Sequence, residues 1–216
     1  MRLVIFGVSG HLSATMETAL ASKLNPSLVV MNVPEVRRPR TASIEEHIKL
    51  FPGPPRIIQL DDFEPRDGEC YFLGTTAPNR HELVEHIRAR FGITCCTLVH
   101  PLAYVSSRAS LASGVYIGAF CTINSRVRIG EQVSIHARVH VAHDTTIGAY
   151  ARVFAGCNVA GNVQVGECVT VGMGATIAEE LVIGADAYIA AGAAVIEDVP
   201  SRVLVAGVPA RIKKSL

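Results

Sequence analysis

From residue 99 onward the chain sets an aliphatic side chain at every sixth position. Val99, Val105, Leu111, Ile117, Ile123, Ile129, Ile135, Val141, Ile147, Val153, Val159, Val165, Val171, Ile177, Ile183, Ile189 and Val195 are seventeen consecutive Val, Ile or Leu residues. These three residue types make up about 0.27 of the chain, so the run would arise by chance on the order of once in a billion. The residue four places after each is small or branched, from Ala103, Ala109 and Val115 to Ala187, Ala193 and Val199. The residue directly after each periodic aliphatic is often Gly or Asn, as at Gly118, Asn124, Gly130, Gly148, Gly166, Gly172 and Gly184. An α-helix cannot bury a period of six, whereas short strands joined by corners can. The glycines are expected to supply the corners, because Gly reaches backbone angles that cost other residues energy. Three hexads then close one triangular coil, and about six coils stack into a parallel β-helix.

Residues 1–98 follow a different rhythm, which sets a domain boundary there, with 99–216 as the β-helix. RLVIF (2–6) predicts a buried strand, GVSGH (7–11) a turn, LSATMETALASKL (12–24) a helix and LVVMNV (28–33) a second strand. This β-turn-α-β opening predicts a Rossmann-like α/β domain, with its first turn where a helix N-terminus can receive an anion. The turn reads G-x-S-G-H rather than G-x-G-x-x-G, which argues against a dinucleotide redox cofactor. SIEEHIKLF (43–51) and ELVEHIRARF (82–91) predict helices, RIIQL (56–60) and CYFLG (70–74) strands. Segment 34–55 carries Pro34, Arg37, Arg38, Pro39 and Arg40 and reads as an exposed excursion.

Composition narrows the function. At 49% hydrophobic and 18% charged the chain is a folder, and 20 Lys+Arg against 19 Asp+Glu with no Trp exclude a nucleic-acid binder. Aromatics at only 6% fit an interior narrow enough to be filled by stacked Val and Ile. No apolar run is long enough to span a membrane and no leader pattern opens the chain, so a cytoplasmic protein is expected. The six cysteines show no C-x-x-C and are read as reduced, structural thiols.

The six-residue repeat resembles that of the hexapeptide-repeat acyltransferases. This resemblance implies a left-handed β-helix and a homotrimer with active sites at subunit interfaces. An α/β domain ahead of such a helix is similar to the sialic-acid O-acetyltransferase and nucleotide-linked amino-sugar N-acetyltransferase branch. Three segments carry the match: FGVSGH (6–11), TLVHPLAYVSSRASL (97–111) and VAHDTTIGAYARVFAGCNVAGNVQVGE (141–167). The branch implies acetyl transfer from acetyl-CoA to a nucleotide-linked amino sugar in bacterial surface-glycan biosynthesis, without a metal and by direct attack. O-acetylation of a sialic-acid-type sugar is the alternative within the branch.

By that resemblance His143 is the general base, histidine being the residue type suited to take a proton near neutral pH, and Asp144 its acidic partner. Gly7, Ser9, Gly10 and His11 fall where the sugar nucleotide binds. VAGVPARIKK (205–214) is similar to the terminal signature of the coenzyme groove, where Arg211, Lys213 and Lys214 would meet phosphates. Gly161, Met173, Ala191, Gly207 and Pro209 would line the pantetheine channel. Two family positions are changed, both assigned to the coenzyme site. Arg152 stands nine residues after His143 in place of a second histidine, and His136 seven before it in place of asparagine. LVVMNV also runs into Pro34 and Glu35 where the family holds a nucleotide base with paired aspartates.

Two other classes are weighed. γ-class carbonic anhydrases share the prism, and His100 and His136 are spaced like two of their metal ligands, but the third position is Val141 and His140 is one residue out of register. The second is an inactive β-helix scaffold, motivated by Arg152 and the changed acid pair.

Overall fold

The computed structural model describes residues 2–32, 43–49 and 51–216. It divides into two compact units, Met1–Cys96 and Thr97–Leu216.

In the first unit β1 (Arg2–Phe6), α1 (Leu12–Ala21), β2 (Asn25–Met31), α2 (Ile44–Ile48), β3 (Arg56–Gln59), β4 (Glu69–Leu73) and α3 (Arg80–Phe91) follow in chain order. The strands form one parallel sheet ordered β3-β2-β1-β4. Leu3, Val4, Ile5 and Phe6 are fully buried, the unbroken apolar run of a parallel strand covered on both faces. β2 starts at Asn25 rather than Leu28, because Lys23 takes a left-handed turn (φ 59°) and lets Asn25 and Pro26 pair with Arg2 and Leu3. α3 starts at Arg80 rather than Glu82 and stops at Gly92, whose φ of 66° closes the helix with an N–H bond to the Arg88 carbonyl. Ser43 and Glu46 cap α2 reciprocally, side chain to backbone N–H in both directions. Pro34, Glu35, Arg37, Arg38, Pro39 and Arg40 lie outside the described residues.

The reading of all six cysteines as reduced is corrected here. Cys70 on β4 and Cys96 are joined by a disulfide, leaving Cys95, Cys121, Cys157 and Cys168 free. The bridge follows from tertiary pairing: the Cys96 N–H bonds the Tyr71 carbonyl at 2.8 Å, which brings together sulfurs 26 residues apart.

In the second unit all seventeen periodic aliphatics are the second residue of a two-residue strand. The strands stack in parallel with an offset of one coil, as in Tyr116↔Ser134↔Arg152↔Thr170↔Tyr188 and Thr122↔His140↔Asn158↔Thr176↔Ala194. They form three sheets, the faces of a prism. From Ile117 to Val195 the periodic residues are no more than 3% exposed, while Val99, Val105 and Leu111 in the first coil, with nothing stacked beneath them, are half-buried. The core holds Val, Ile, Ala and Cys, whereas the largest fully buried rings, Phe6, Phe63 and Phe72, belong to the first unit. The chain ends in an antiparallel pair, Val203–Ala206 with Arg211–Ser215.

The glycines act differently from the expectation. Gly118, Gly130, Gly148, Gly166, Gly172 and Gly184 do not take the left-handed angle; a Cβ on any of them would lie 2.4–2.8 Å from a backbone nitrogen of the next coil. They are there because the coils stack closely. The left-handed residue is the third after each aliphatic from Leu111 to Ile189, and most are not Gly: Arg126 (φ 62°), Gln132 (φ 55°), Arg138 (φ 61°), Asp144 (φ 62°), Tyr150 (φ 59°). Among the described residues no helix is long and apolar enough to cross a membrane.

Candidate active site

His143 and Asp144 are the second and third residues after Val141 and form one corner of the prism. The residue one coil earlier at the Asp144 position is Arg126, and the two share the same left-handed backbone. Coils stacked as parallel strands are about 4.8 Å apart, a distance a guanidinium spans easily. Arg126 Nε donates to Asp144 Oδ1 and Nη2 donates to Oδ2 at 2.6 Å, a two-pronged pair. His143 Nδ1 lies 2.8 Å from Asp144 Oδ2.

The arrangement fixes which imidazole nitrogen is free. The Arg126 hydrogen bonds, then the His143 bond, lower the Asp144 carboxyl pKa to about 2, and Asp144 in turn raises the Arg126 pKa. A carboxylate accepts only, so His143 Nδ1 carries the proton it donates to Asp144, and the neutral ring keeps its lone pair on Nε2. The ring is open to solvent, with 59% of the His143 side chain exposed.

The coil above is shaped around this ring. A Cβ on Gly161 would sit 2.9 Å from His143 Cε1 and 3.1 Å from Nε2, so glycine is what lets the imidazole lie flat across the next coil. Thr145, fully buried under the corner, stitches the two coils: its hydroxyl donates to the Ala160 carbonyl at 2.9 Å and accepts from the Val163 N–H.

The other expected site residues lie elsewhere. Met173 and Ala191 stand in successive coils at the corner following the sheet of Tyr116, Ser134 and Arg152, one sheet away from the corner of His143. Three successive left-handed positions beside them, Gly156, Gly174 and Gly192, are glycine, and a Cβ at 174 or 192 would meet nothing within 4 Å. Gly207 and Ala210 flank Pro209 and clamp Ala194, the Ala194 N–H bonding the Gly207 carbonyl and the Ala210 N–H the Ala194 carbonyl. Arg211 pairs with Glu197 at 3.3 Å. His136 belongs to the Met173 corner and its ring packs 4.8 Å from that of Phe154. Arg152 points from the sheet opposite the His143 corner, donates to Thr170 Oγ1 at 2.6 Å, and has its pKa lowered by burial. A single chain therefore unites Arg126, His143, Asp144 and Gly161, and keeps Arg152 away from them. His100 and His136 share a column two coils apart, and among the described residues no group of three His, Cys, Asp or Glu is placed to hold a metal.

In the first unit Gly7 (φ 73°) ends β1, and a Cβ there would come within 2.9 Å of Thr75. Ser9 Oγ donates to the Gly74 carbonyl after β4 at 3.4 Å and accepts the His11 N–H at 3.2 Å. His11 is buried and Gly10 exposed. The turn sits at the carboxyl ends of β1 and β4, where the strand order reverses, the place where open parallel sheets take ligands.

Sequence reasoning missed Arg126. Its signal was the period itself, since three hexads back from Asp144 is Arg126.

No protein-family model matches the chain, and no curated protein matches it. Solved structures do. A histidine-to-asparagine variant of perosamine N-acetyltransferase from Caulobacter crescentus, in complex with CoA and GDP-perosamine, is 27% identical over 100% of this chain and 98% of that one, with a TM-score of 0.83. PerB from Caulobacter crescentus, in complex with the same two compounds, is 26% identical over 99% and 98%, with a TM-score of 0.82. Over its whole length the chain is similar to hexapeptide-repeat nucleotide-amino-sugar acetyltransferases. The acetyltransferase domain of PglB from Neisseria gonorrhoeae shares the fold, at 22% identity over 98% of this chain and 99% of that one and a TM-score of 0.83. The stacked parallel sheets of this hexapeptide-repeat chain fit the left-handed β-helix of that group.

Proposed function

We propose that the protein transfers the acetyl group of acetyl-CoA to the amino group of a nucleotide-linked sugar, with His143 as general base. The observation that carries the assignment of the base is the Arg126–Asp144–His143 corner, in which Nδ1 faces the carboxylate and the largely exposed ring has Nε2 left for a substrate. The substrates come from likeness, since the two Caulobacter crescentus structures are N-acetyltransferases or complexes holding CoA and GDP-perosamine and match over the whole chain. In the step itself the acceptor nitrogen attacks the thioester carbonyl as its proton passes to Nε2. The C–N bond forms, the C–S bond breaks, and the proton held on Nε2 passes to the leaving sulfur, so that coenzyme A departs as the free thiol and the imidazole is restored. No covalent enzyme intermediate is used, so the scaffold contributes mainly by aligning two substrates. Asp144 keeps the ring in its tautomer and stabilises the imidazolium that forms.

The N-terminal unit is read as a Rossmann-like sugar-substrate domain, with Gly7, Ser9, Gly10 and His11 at its ligand end. Met173, Ala191, Gly207 and Pro209 are read as the coenzyme channel beside the open glycine edge, with Gly161, His136, Arg152 and Arg211 as further coenzyme contacts. These residues are spread over different corners and faces of one prism, which supports a homotrimer whose sites form between copies.

The test is release of free thiol from acetyl-CoA with a panel of nucleotide-linked amino sugars. Wild type should release thiol with at least one, and His143→Ala should lower the rate by about 10²–10⁴. Equal rates in the variant would remove His143 as base, and no release with any sugar would remove the activity. Mixing His143→Ala copies with copies blocked at the glycine edge should restore activity only if one site draws on two copies.

A further inference from the structure

The corner of His143 contains a group that the reaction as proposed does not require, and it is the best-anchored side chain there. Arg126 and Asp144 occupy the same register position in adjacent coils with the same backbone angle, so their side chains leave the prism in parallel. Arg126 grips both carboxylate oxygens, and the oxygen that receives Nη2 is the one that meets His143 Nδ1. A carboxylate held on one side by a fork has no freedom to rotate away from the imidazole on the other. Ser125 adds a backbone tie, its carbonyl accepting the Asp144 N–H at 3.1 Å.

We infer that Arg126 is a positioning residue for acetyl transfer, locking the Asp144 carboxylate toward His143 and offsetting its charge. The inference rests on His143 being the base. The logic is electrostatic. An unpaired aspartate 2.8 Å from the ring would favour the imidazolium, which cannot accept a proton. A guanidinium on the same carboxylate cancels much of that pull while preserving the hydrogen bond. The other charged groups along this corner are Arg108, one coil before Arg126, Glu179 and Glu180, two coils beyond Asp144, and Glu197 and Asp198, one coil beyond those. No hydrogen bond links them to the pair. Lysine is not an equivalent, because an ammonium is a point charge and cannot hold both oxygens in plane.

The experiment compares Arg126→Met, Arg126→Lys and wild type by kcat, KM for each substrate, the pH dependence of kcat and thermal midpoint. Arg126→Met should lower kcat by about tenfold at neutral pH and move the acidic limb of the profile upward by about half a unit. Both KM values should stay within about twofold, and the thermal midpoint should barely move because the pair is exposed. Arg126→Lys should return the limb to its place and recover kcat only in part. An unchanged kcat and limb in Arg126→Met overturns the inference, as does a raised KM at unchanged kcat, which would make Arg126 a substrate contact. If Arg126→Met is unstable, the kcat of Arg126→Lys decides alone: a wild-type value there removes the need for the fork and overturns the inference. His143→Ala keeping activity would instead sink the base assignment, so the two failures are distinct.

Discussion

At the corner that carries His143, the third residue after each buried aliphatic is Arg126, Asp144, Asn162 and Glu180 in successive coils. At the corner that carries Met173 it is Phe120, Arg138, Gly156, Gly174 and Gly192. Both corners use one backbone turn, with φ between 57° and 67° at all of these positions except Gly156, at 74°. The first fills the turn with polar groups, of which Arg126 and Asp144 pair, and the second strips it to backbone from Gly156 onward. One repeat has thus yielded an edge that can do proton chemistry and an edge that can take a ligand closely, without altering the scaffold. The difference lies in the column, since a corner residue acquires its chemistry from the residues one coil below and above.

The largest expected effect tests whether the column or the local turn matters. His143→Ala should lower acetyl transfer by about 10²–10⁴. Adding Ala137→His and Arg138→Asp to that variant recreates the dipeptide at the same turn position of the other corner, where the residue one coil earlier is Phe120 rather than Arg126. No activity should return. Recovery would mean that the turn alone suffices and that the column argument is wrong.

The next effect reads the bare edge. Gly174→Phe places in the later coils the side chain that Phe120 already carries in the same column at φ 58°, so the fold should tolerate it. Its ring would occupy space where a Cβ now meets nothing within 4 Å. The KM for acetyl-CoA should rise by about tenfold or more, roughly the worth of one lost apolar contact surface, with little change in kcat. An unchanged KM would take the coenzyme away from this edge.

How much of this was legible depends on the range of the interaction. Val141, Ile147 and their fifteen counterparts announce themselves because burial repeats with the coil, and His143–Asp144 stands out as an adjacent base and acid. Gly118 and its relatives were seen but misread, because sequence cannot distinguish a glycine needed for its angle from one needed for its missing Cβ. Arg126 was hidden by eighteen residues of separation although the period contained the answer. The Cys70–Cys96 bridge could not be read, since nothing periodic links β4 to the residues that follow α3. Arg152 and His136 were assigned by position along the chain, and the prism sends them to faces and corners apart from His143.

A smaller effect probes how tightly the armed corner is built. Gly161→Ala sets a methyl 2.9 Å from His143 Cε1, and the ring, being largely exposed, can swing away. The fold should survive, and kcat should fall by about tenfold because the base leaves its aligned position. The same exchange at Gly192, where a Cβ meets nothing within 4 Å, should leave kcat unaltered at saturating coenzyme. Equal losses at both sites would show backbone strain rather than the imidazole to be responsible.

The smallest effect is on stability. Asp144→Asn keeps a residue type that accepts the left-handed angle, so the corner should fold and lose only the charge. The Asp144 pKa is lowered to about 2 in the folded chain, by Arg126 first and His143 second, against an ordinary value near 4 when unfolded. A carboxyl lowered on folding stabilises the protein above its unfolded pKa, and that contribution is lost as pH falls toward the folded value. The thermal midpoint of Asp144→Asn should therefore lie below wild type by a small, constant margin from pH 8 to about pH 5, and the margin should close below about pH 4. The pair is exposed, so the margin is expected to be about a degree or two. A gap that widens on acidification would mean that Asp144 is protonated in the folded protein, and then neither the tautomer of His143 nor the neutralising role of Arg126 would hold.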